Sequence, residues 1–161
     1  MRITIRPIRP DDDEIVRAFL RGVSRESTSN RLLSGRNLTP AELDHLTRID
    51  YENEMAFIAV TSADGHESEI GVARYVRDDE RTSAEFALLI ADAWQRRGVG
   101  TLLVSTLLKH ARSAGIVRIH GTAYSNNKAM IDLARKFGFA VISVPSNATI
   151  LELAISLARD D

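Results

Sequence analysis

The chain opens with alternating polar and apolar positions and then changes to helical spacing. The alternation at Ile3 and Ile5 predicts a β-strand that stops at the prolines that follow. Apolar side chains then recur every four residues over 15–23, which predicts a first helix. The acidic run at 11–14 is typical of a solvated helix N-terminus. Residues 39–42, Thr-Pro-Ala-Glu, combine an N-cap, a first-position proline and a capping-box acid, which predicts a second short helix that runs to about Asp50.

Short apolar runs separated by turn-forming residues dominate the middle of the chain. The runs at 55–60 and 70–76 flank Ser-Ala-Asp-Gly, which predicts two antiparallel strands. A third run at 84–91 is apolar on both faces except at Glu85. An apolar strand of this kind is typical of a position buried inside a sheet.

The second half of the chain predicts two further helices. One carries apolar residues on a single face over 103–114 and should end at Gly115, and the other begins at the potential N-cap Asn126 and ends at Gly138. Further strands are predicted at 117–122, 139–144 and 149–153. This order of elements predicts an α/β fold in one domain over 1–161, with a mixed sheet of six or seven strands and about four helices.

Composition narrows the range of functions. The chain of 161 residues is 44% apolar, which suits one core and one domain. Its 21 basic and 22 acidic residues give no positive field, so nucleic acid is not an expected partner. The absence of cysteine excludes thiolate chemistry, and the four histidines lack metal-ligand spacing, so no metal is expected. With neither a signal peptide nor a membrane span in the pattern, we expect a cytoplasmic protein; the oligomeric state stays open.

A turn with two glycines follows the strand that contains Glu85. It reads Gln95-Arg96-Arg97-Gly98-Val99-Gly100-Thr101, and it places unpaired N–H groups at the positive end of a helix. That arrangement suits a phosphate or pyrophosphate, although an ordinary helix start has the same pattern. No lysine follows Gly100, which excludes a Walker A loop. A dinucleotide fingerprint is excluded because Leu103 and His120 stand where its third glycine and its acid should be.

Two motifs together resemble the Gcn5-related N-acetyltransferase (GNAT) family. Residues 95–100 match its Q/R-x-x-G-x-G/A signature, which follows the fourth strand in that family. An asparagine three residues before an alanine, and a helix ending in Gly-Phe, are similar to Asn126–Ala129 and Gly138–Phe139. The resemblance implies a GNAT-like fold, with acetyl-CoA as the cosubstrate and an amine as the acetyl acceptor.

The same resemblance implies roles for individual residues in cofactor binding. Main-chain amides of 95–101 would hold the CoA pyrophosphate, and Asn126 would contact the pantetheine arm. The main chain of Leu88, Leu89 and Ile90 would pair with that arm as an added strand does. One amide near Leu89 should face the thioester carbonyl, where a donor stabilises the negative charge that develops during attack.

A narrower resemblance concerns the acceptor. Segments 49–51, 54–58, 71–74 and 84–87 look like the acetyltransferase domain of bacterial protein lysine acetyltransferases. This implies a protein lysine as the acceptor. A small-molecule amine, a noncatalytic CoA-binding sensor and a nucleotide-binding oxidoreductase remain as alternatives.

Glu85 is the candidate general base. An ammonium group must lose a proton before it can attack a thioester, and desolvation makes a carboxylate a stronger base. The glutamate at this place is the proposed base in the lysine acetyltransferases that the chain resembles. Alternatively, Glu85 reaches solvent or pairs with Arg74 or Arg77.

The chain departs from the family pattern at Ala134. Many members have a tyrosine there that protonates the departing thiolate, and alanine cannot donate a proton. Tyr124, Ser125 or water are the remaining donors. We interpret His120 as a structural or solvent-facing residue rather than a residue of the acceptor cleft, and Trp94 as a packing residue.

Overall fold

The computed structural model describes residues 2–23 and 39–157 and contains seven strands and four α-helices in those ranges. In chain order they are β1 (Ile3–Pro7), α1 (Asp13–Arg21), α2 (Pro40–Thr47), β2 (Glu54–Ala63), β3 (His66–Arg77), β4 (Ser83–Ile90), α3 (Val99–Ser113), β5 (Arg118–Tyr124), α4 (Lys128–Lys136), β6 (Ala140–Val144) and β7 (Asn147–Ser156). The predicted α/β class and order of elements are confirmed. The polar stretch at 24–36, for which the sequence favours neither helix nor strand, lies outside the described residues.

The strands form one mixed sheet in the order β1-β2-β3-β4-β5-β7-β6. The only parallel pair among the described strands is β4 with β5, because α3 carries the chain from the end of β4 back to the start of β5. The hairpin between β2 and β3 turns at Asp64 and Gly65, whose φ angles of 53° and 79° suit a two-residue hairpin turn.

Helices cover both faces of the central strands, so β4 is buried on both sides. On one face the core includes Leu103 and Leu107 of α3 together with Phe86 of β4. On the opposite face Phe19 of α1 and Leu43 of α2 pack with β2, β3 and β4. No helix in the described part of the chain is long and apolar enough to cross a membrane.

One expectation about the first helix is wrong. The acidic run was expected to be solvated, yet Asp12 is only 5% exposed and its two carboxylate oxygens accept hydrogen bonds from Arg6 at 2.8 and 2.9 Å. Arg6 lies on β1, where its side chain is also buried. A buried guanidinium needs a paired carboxylate, and the first turn before α1 supplies one.

Two helix boundaries also differ from the expected ones. Helix α2 ends at Thr47 rather than near Asp50, whose carboxylate accepts the N–H groups of the next turn at 2.8 to 3.1 Å. Helix α4 is capped by Asn127, which accepts the N–H of Met130 at 3.2 Å, rather than by Asn126. Asn126 therefore precedes the cap.

Candidate active site at the opening between β4 and β5

The parallel strands β4 and β5 pair over only three residues each. Ser83–Glu85 on β4 pair with Arg118–His120 on β5. Beyond this point β4 continues to pair with β3 as far as Ile90, but its other edge has no β5 partner. The main-chain groups of 86–90 therefore form an open strand edge, which suits an extended molecule with amide groups of its own.

A glycine on β5 permits the close packing where the strands diverge. Gly121 follows the last paired residue of β5, and a Cβ at that position would lie 2.7 Å from the Cε1 atom of Phe86. The Phe86 ring is buried and packs against Phe139, with 5.2 Å between ring centroids. The base of the opening is therefore closely packed on the side of α3 and α4.

A cleft of about 790 Å³ extends from this opening. From β4 to α3 it is lined by Leu88, Leu89, Ile90, Asp92, Trp94, Gln95, Arg96, Gly98, Gly100 and Thr101. From β5 to α4 it is lined by Tyr124, Asn126, Asn127, Lys128, Ala129, Met130, Asp132, Leu133 and Lys136. All the residues that the sequence predicts for cofactor binding line it except Arg97 and Val99.

The glycine turn bends sharply before α3. Arg96 and Gly98 both have positive φ, at 61° and 88°, and Gly98 is the N-cap of the helix. The side chain of Gln95 donates a hydrogen bond to the carbonyl of Ile90 at 3.2 Å, which ties the turn to the end of β4. The first amides of α3 precede its first intrahelical bond, from Leu102 to Gly98, so this helix end offers N–H donors to an anion.

The side chains of Arg97 and Val99 hold the turn in place rather than line the cleft. The Arg97 guanidinium carbon lies 4.4 Å from the ring centroid of Trp94, a cation–π contact. Trp94 packs against the core, and Val99 is completely buried within it. Any contact of these two predicted residues with a ligand would be through their main-chain amides.

Two lysines of α4 line the cleft, and no sequence pattern predicted them there. Lys136 Nζ lies 3.3 Å from Thr101 Oγ1, on the opposite wall, and Lys128 pairs with Asp132 at 2.7 Å. With Arg96 they are three basic side chains against the two acidic ones, Asp92 and Asp132, that line the same cleft, so the balance of charge is slightly positive, which favours a phosphate group. In the sequence they are indistinguishable from lysines on any exposed helix face.

Glu85 lies at the base of the opening, at the last paired position of β4. It is partly buried, and it shares the α1 and α2 face with Ala87 and Leu89 because side chains alternate along a strand. The two arginines considered as its partners donate to main-chain oxygens: Arg74 to Leu46, and Arg77 to Glu52, Arg81 and Ala114.

His120 is the register partner of Glu85 on β5. Its Nε2 atom lies 2.8 Å from Oδ2 of Asp78, which follows β3. Burial raises the pKa of Asp78, but the hydrogen bonds from His120 and Ser83 and the charges of His120 and Arg118 together outweigh it, so the pKa falls below its ordinary value. The histidine therefore has a defined partner beside the candidate base.

A buried alanine occupies the position at which many family members have the tyrosine that protonates the thiolate. Ala134 is 3% exposed and packs in the core between α3 and α4. Of the alternative side chains, Tyr124 is 40% exposed and lines the cleft, whereas Ser125 is not among the lining residues. Within the described ranges no three His, Asp or Glu side chains gather as metal ligands do.

A family model for the acetyltransferase (GNAT) domain matches residues 2–140. The chain belongs to the GNAT acetyltransferase family. The Acetyltransferase PA5475 of Pseudomonas aeruginosa is 34% identical over 148 residues, which are 91% of this chain and 80% of that protein. The GNAT domain of S. lividans PAT has a TM-score of 0.81 at 26% identity, covering 95% of this chain and 89% of that one.

GNAT acetyltransferases use acetyl-CoA, so acetyl-CoA is the cosubstrate of this enzyme. A putative acetyltransferase from Salmonella typhimurium, solved with its cofactor acetyl-CoA, shares the fold with a TM-score of 0.73 at 20% identity. The match covers 100% of this chain and 97% of that one. The open edge of β4, the amide-rich end of α3 and the basic rim fit the three parts of such a molecule: an amide-bearing arm, a pyrophosphate and further phosphate charge.

Proposed function

We propose that this GNAT enzyme transfers the acetyl group of acetyl-CoA to the side-chain amine of a protein lysine, with Glu85 as the general base. The observation that carries the proposal is the continuity between the open edge of β4 at 86–90 and Glu85 at its base. A cofactor arm lying along that edge would bring its thioester to the end of the strand where Glu85 stands.

In this proposal the cofactor is held mainly by main-chain groups. Leu88, Leu89 and Ile90 pair with the pantetheine arm, the amides of 95–101 hold the pyrophosphate, and Asn126 contacts the arm from the opposite wall. Their places around one cleft support this assignment. Because main-chain amides are fixed by the fold, they need little reorganisation when the ligand binds.

The chemistry then requires one proton acceptor and one oxyanion donor. Glu85 takes a proton from the acceptor ammonium, the neutral nitrogen attacks the thioester carbon, and the C–S bond breaks as the C–N bond is completed. A main-chain amide near Leu89 donates to the carbonyl oxygen as it becomes negative. The thiolate leaves as CoA, and its proton comes from Tyr124, Ser125 or water.

The assignment of a protein lysine rests on the resemblance of segments 49–51, 54–58, 71–74 and 84–87 to bacterial protein lysine acetyltransferases. Three of these segments lie on β2, β3 and β4, which are consecutive strands of the sheet, and the last of them contains Glu85. A small-molecule amine is the alternative acceptor. A noncatalytic CoA sensor is the second candidate function, favoured by the buried Ala134 in place of tyrosine.

A thiol-release assay with acetyl-CoA and a panel of acceptors tests this proposal. The panel contains intact proteins, lysine-containing peptides, amino acids and small amines, and mass spectrometry locates the acetyl group. The proposal expects release with proteins and an acetyl group on lysine Nζ. Release with small amines alone would overturn the protein acceptor, and tight CoA binding without release for any acceptor would overturn the enzyme.

A further inference from the structure

The pair formed by His120 and Asp78 lies beside the candidate base, on a different strand. Glu85 and His120 are directly opposed at the last paired position of β4 and β5, and their side chains leave the sheet on the same face. Neighbouring strands lie about 4.8 Å apart, so the two side chains are adjacent. Asp78 holds the far nitrogen of the ring at 2.8 Å.

The partner determines which ring nitrogen carries the proton. The lowered pKa of Asp78 keeps it an ionised carboxylate at neutral pH, and a carboxylate only accepts hydrogen bonds. Nε2 of His120 must therefore be the protonated nitrogen in the neutral ring. Nδ1 then carries the lone pair, and it makes no hydrogen bond to the residues that the structure describes.

This arrangement has the features of a histidine set up to receive a proton. A carboxylate behind an imidazole fixes the tautomer and stabilises the imidazolium that forms when the other nitrogen is protonated. The His120 side chain is 28% exposed and that of Asp78 36%, so the pair also connects the site to solvent. A purely structural role, in which His120 only joins β5 to the turn after β3, does not explain its position beside Glu85.

We propose that His120, oriented by Asp78, relays to solvent the proton that Glu85 takes from the acceptor amine. This inference rests on the proposed function of Glu85. In the relay an N–H bond of the acceptor breaks as Glu85 becomes a carboxylic acid. Nδ1 makes no hydrogen bond to Glu85 in the structure, so one water between them carries the proton. That water accepts the proton of Glu85 as the O–H bond breaks and gives one of its own to Nδ1 of His120, and the imidazolium then loses a proton to solvent. Glu85 is thereby returned to its carboxylate form for the next turnover.

Among the described residues, the charged groups that face His120 are Asp78 after β3, Glu85 on β4 and Arg118 on its own strand, while its partner on β7 is the uncharged Ala154. Two of these groups are acidic and one is basic.

The test compares His120→Gln with the wild-type enzyme, because the glutamine amide retains a donor for Asp78 but cannot accept a proton. We expect a fall in kcat of at least about tenfold at neutral pH, with the KM for acetyl-CoA and the melting temperature unchanged. The fall should shrink at high pH, where hydroxide takes the proton from Glu85. Asp78→Asn should lower kcat in the same direction by a smaller factor.

Three outcomes separate this inference from the proposed function. Wild-type kcat and an unchanged pH profile in His120→Gln would overturn the relay while leaving Glu85 as the base. A fall in kcat that is the same at every pH, with a lower melting temperature, would overturn it in favour of a structural tether. If the wild-type enzyme fails to release CoA with every acceptor in the panel, both proposals would be overturned.

Discussion

Replacing Gly121 by alanine should destabilise the protein at the base of the cleft. A Cβ there would lie 2.7 Å from Phe86 Cε1 and 3.0 Å from the Phe86 main-chain oxygen, where ordinary contacts are 3.4–4 Å. The ring cannot retreat easily, since it is 3% exposed and packs on Phe139, and the oxygen belongs to β4. We expect overpacking to lower the free energy of unfolding by about 1–3 kcal/mol. For a domain of this size, the melting temperature should fall by about 2–12 °C.

Differential scanning calorimetry of a double-mutant cycle isolates this contact. Phe86→Leu removes the ring, so the loss caused by Gly121→Ala should shrink by about 1 kcal/mol in that background. The matched control is Gly22→Ala, where φ is −91° and the nearest atom lies 3.7 Å away, so its effect should be small. Strict additivity of the two changes, or wild-type stability of Gly121→Ala, would refute the reasoning.

Three further changes probe the core and the cleft. Burial raises the pKa of Glu69, so the stability carried by its protonated form is complete below the unfolded pKa of about 4.5 and is lost as pH rises through the folded pKa. Glu69→Gln should therefore raise the melting temperature at neutral pH, with a gain that vanishes toward pH 4.5; a pH-independent gain in calorimetry would contradict this. Asp12→Ala should lower the free energy of unfolding by about 1.5–3 kcal/mol in urea titrations, because Arg6 loses two charge-assisted hydrogen bonds and keeps only Glu67, at 3.0 Å, as a carboxylate partner; a loss below about 1 kcal/mol would count against the ion pair. Gly100→Val should raise the Kd for CoA at least about tenfold in isothermal titration calorimetry, since its side chain would enter the cleft beside Leu133, and an unchanged Kd would place CoA elsewhere.

Features encoded within a few consecutive residues could be predicted from the sequence. The Thr39 cap with its acid at Glu42 forms the expected capping box, and the turn around Gly98 starts a helix beside a cleft. Both depend on local backbone conformation, which the residue types specify directly. The order of strands and helices follows for the same reason.

Features that depend on how side chains meet in three dimensions could not be predicted. Asp12 looked like a solvated residue because no periodicity pairs it with Arg6, six positions earlier, across the bend between β1 and α1. For His120 the sequence favoured a structural or solvent-facing role, and it could not reveal the partner Asp78, which lies 42 positions away. The pairing of β4 with β5 over only three residues depends on where the two strands diverge in space. The hydrophobic periodicity of each strand does not predict that point.

The central claim is that Glu85 takes the proton from an amine that attacks acetyl-CoA held along β4. The most direct measurement is single-turnover acetyl transfer by wild type and Glu85→Gln, each saturated with acetyl-CoA, with CoA affinity measured in parallel by calorimetry. We expect Glu85→Gln to bind CoA as wild type does and to transfer acetyl about 10²-fold or more slowly at neutral pH. Transfer at the wild-type rate by Glu85→Gln would contradict the claim.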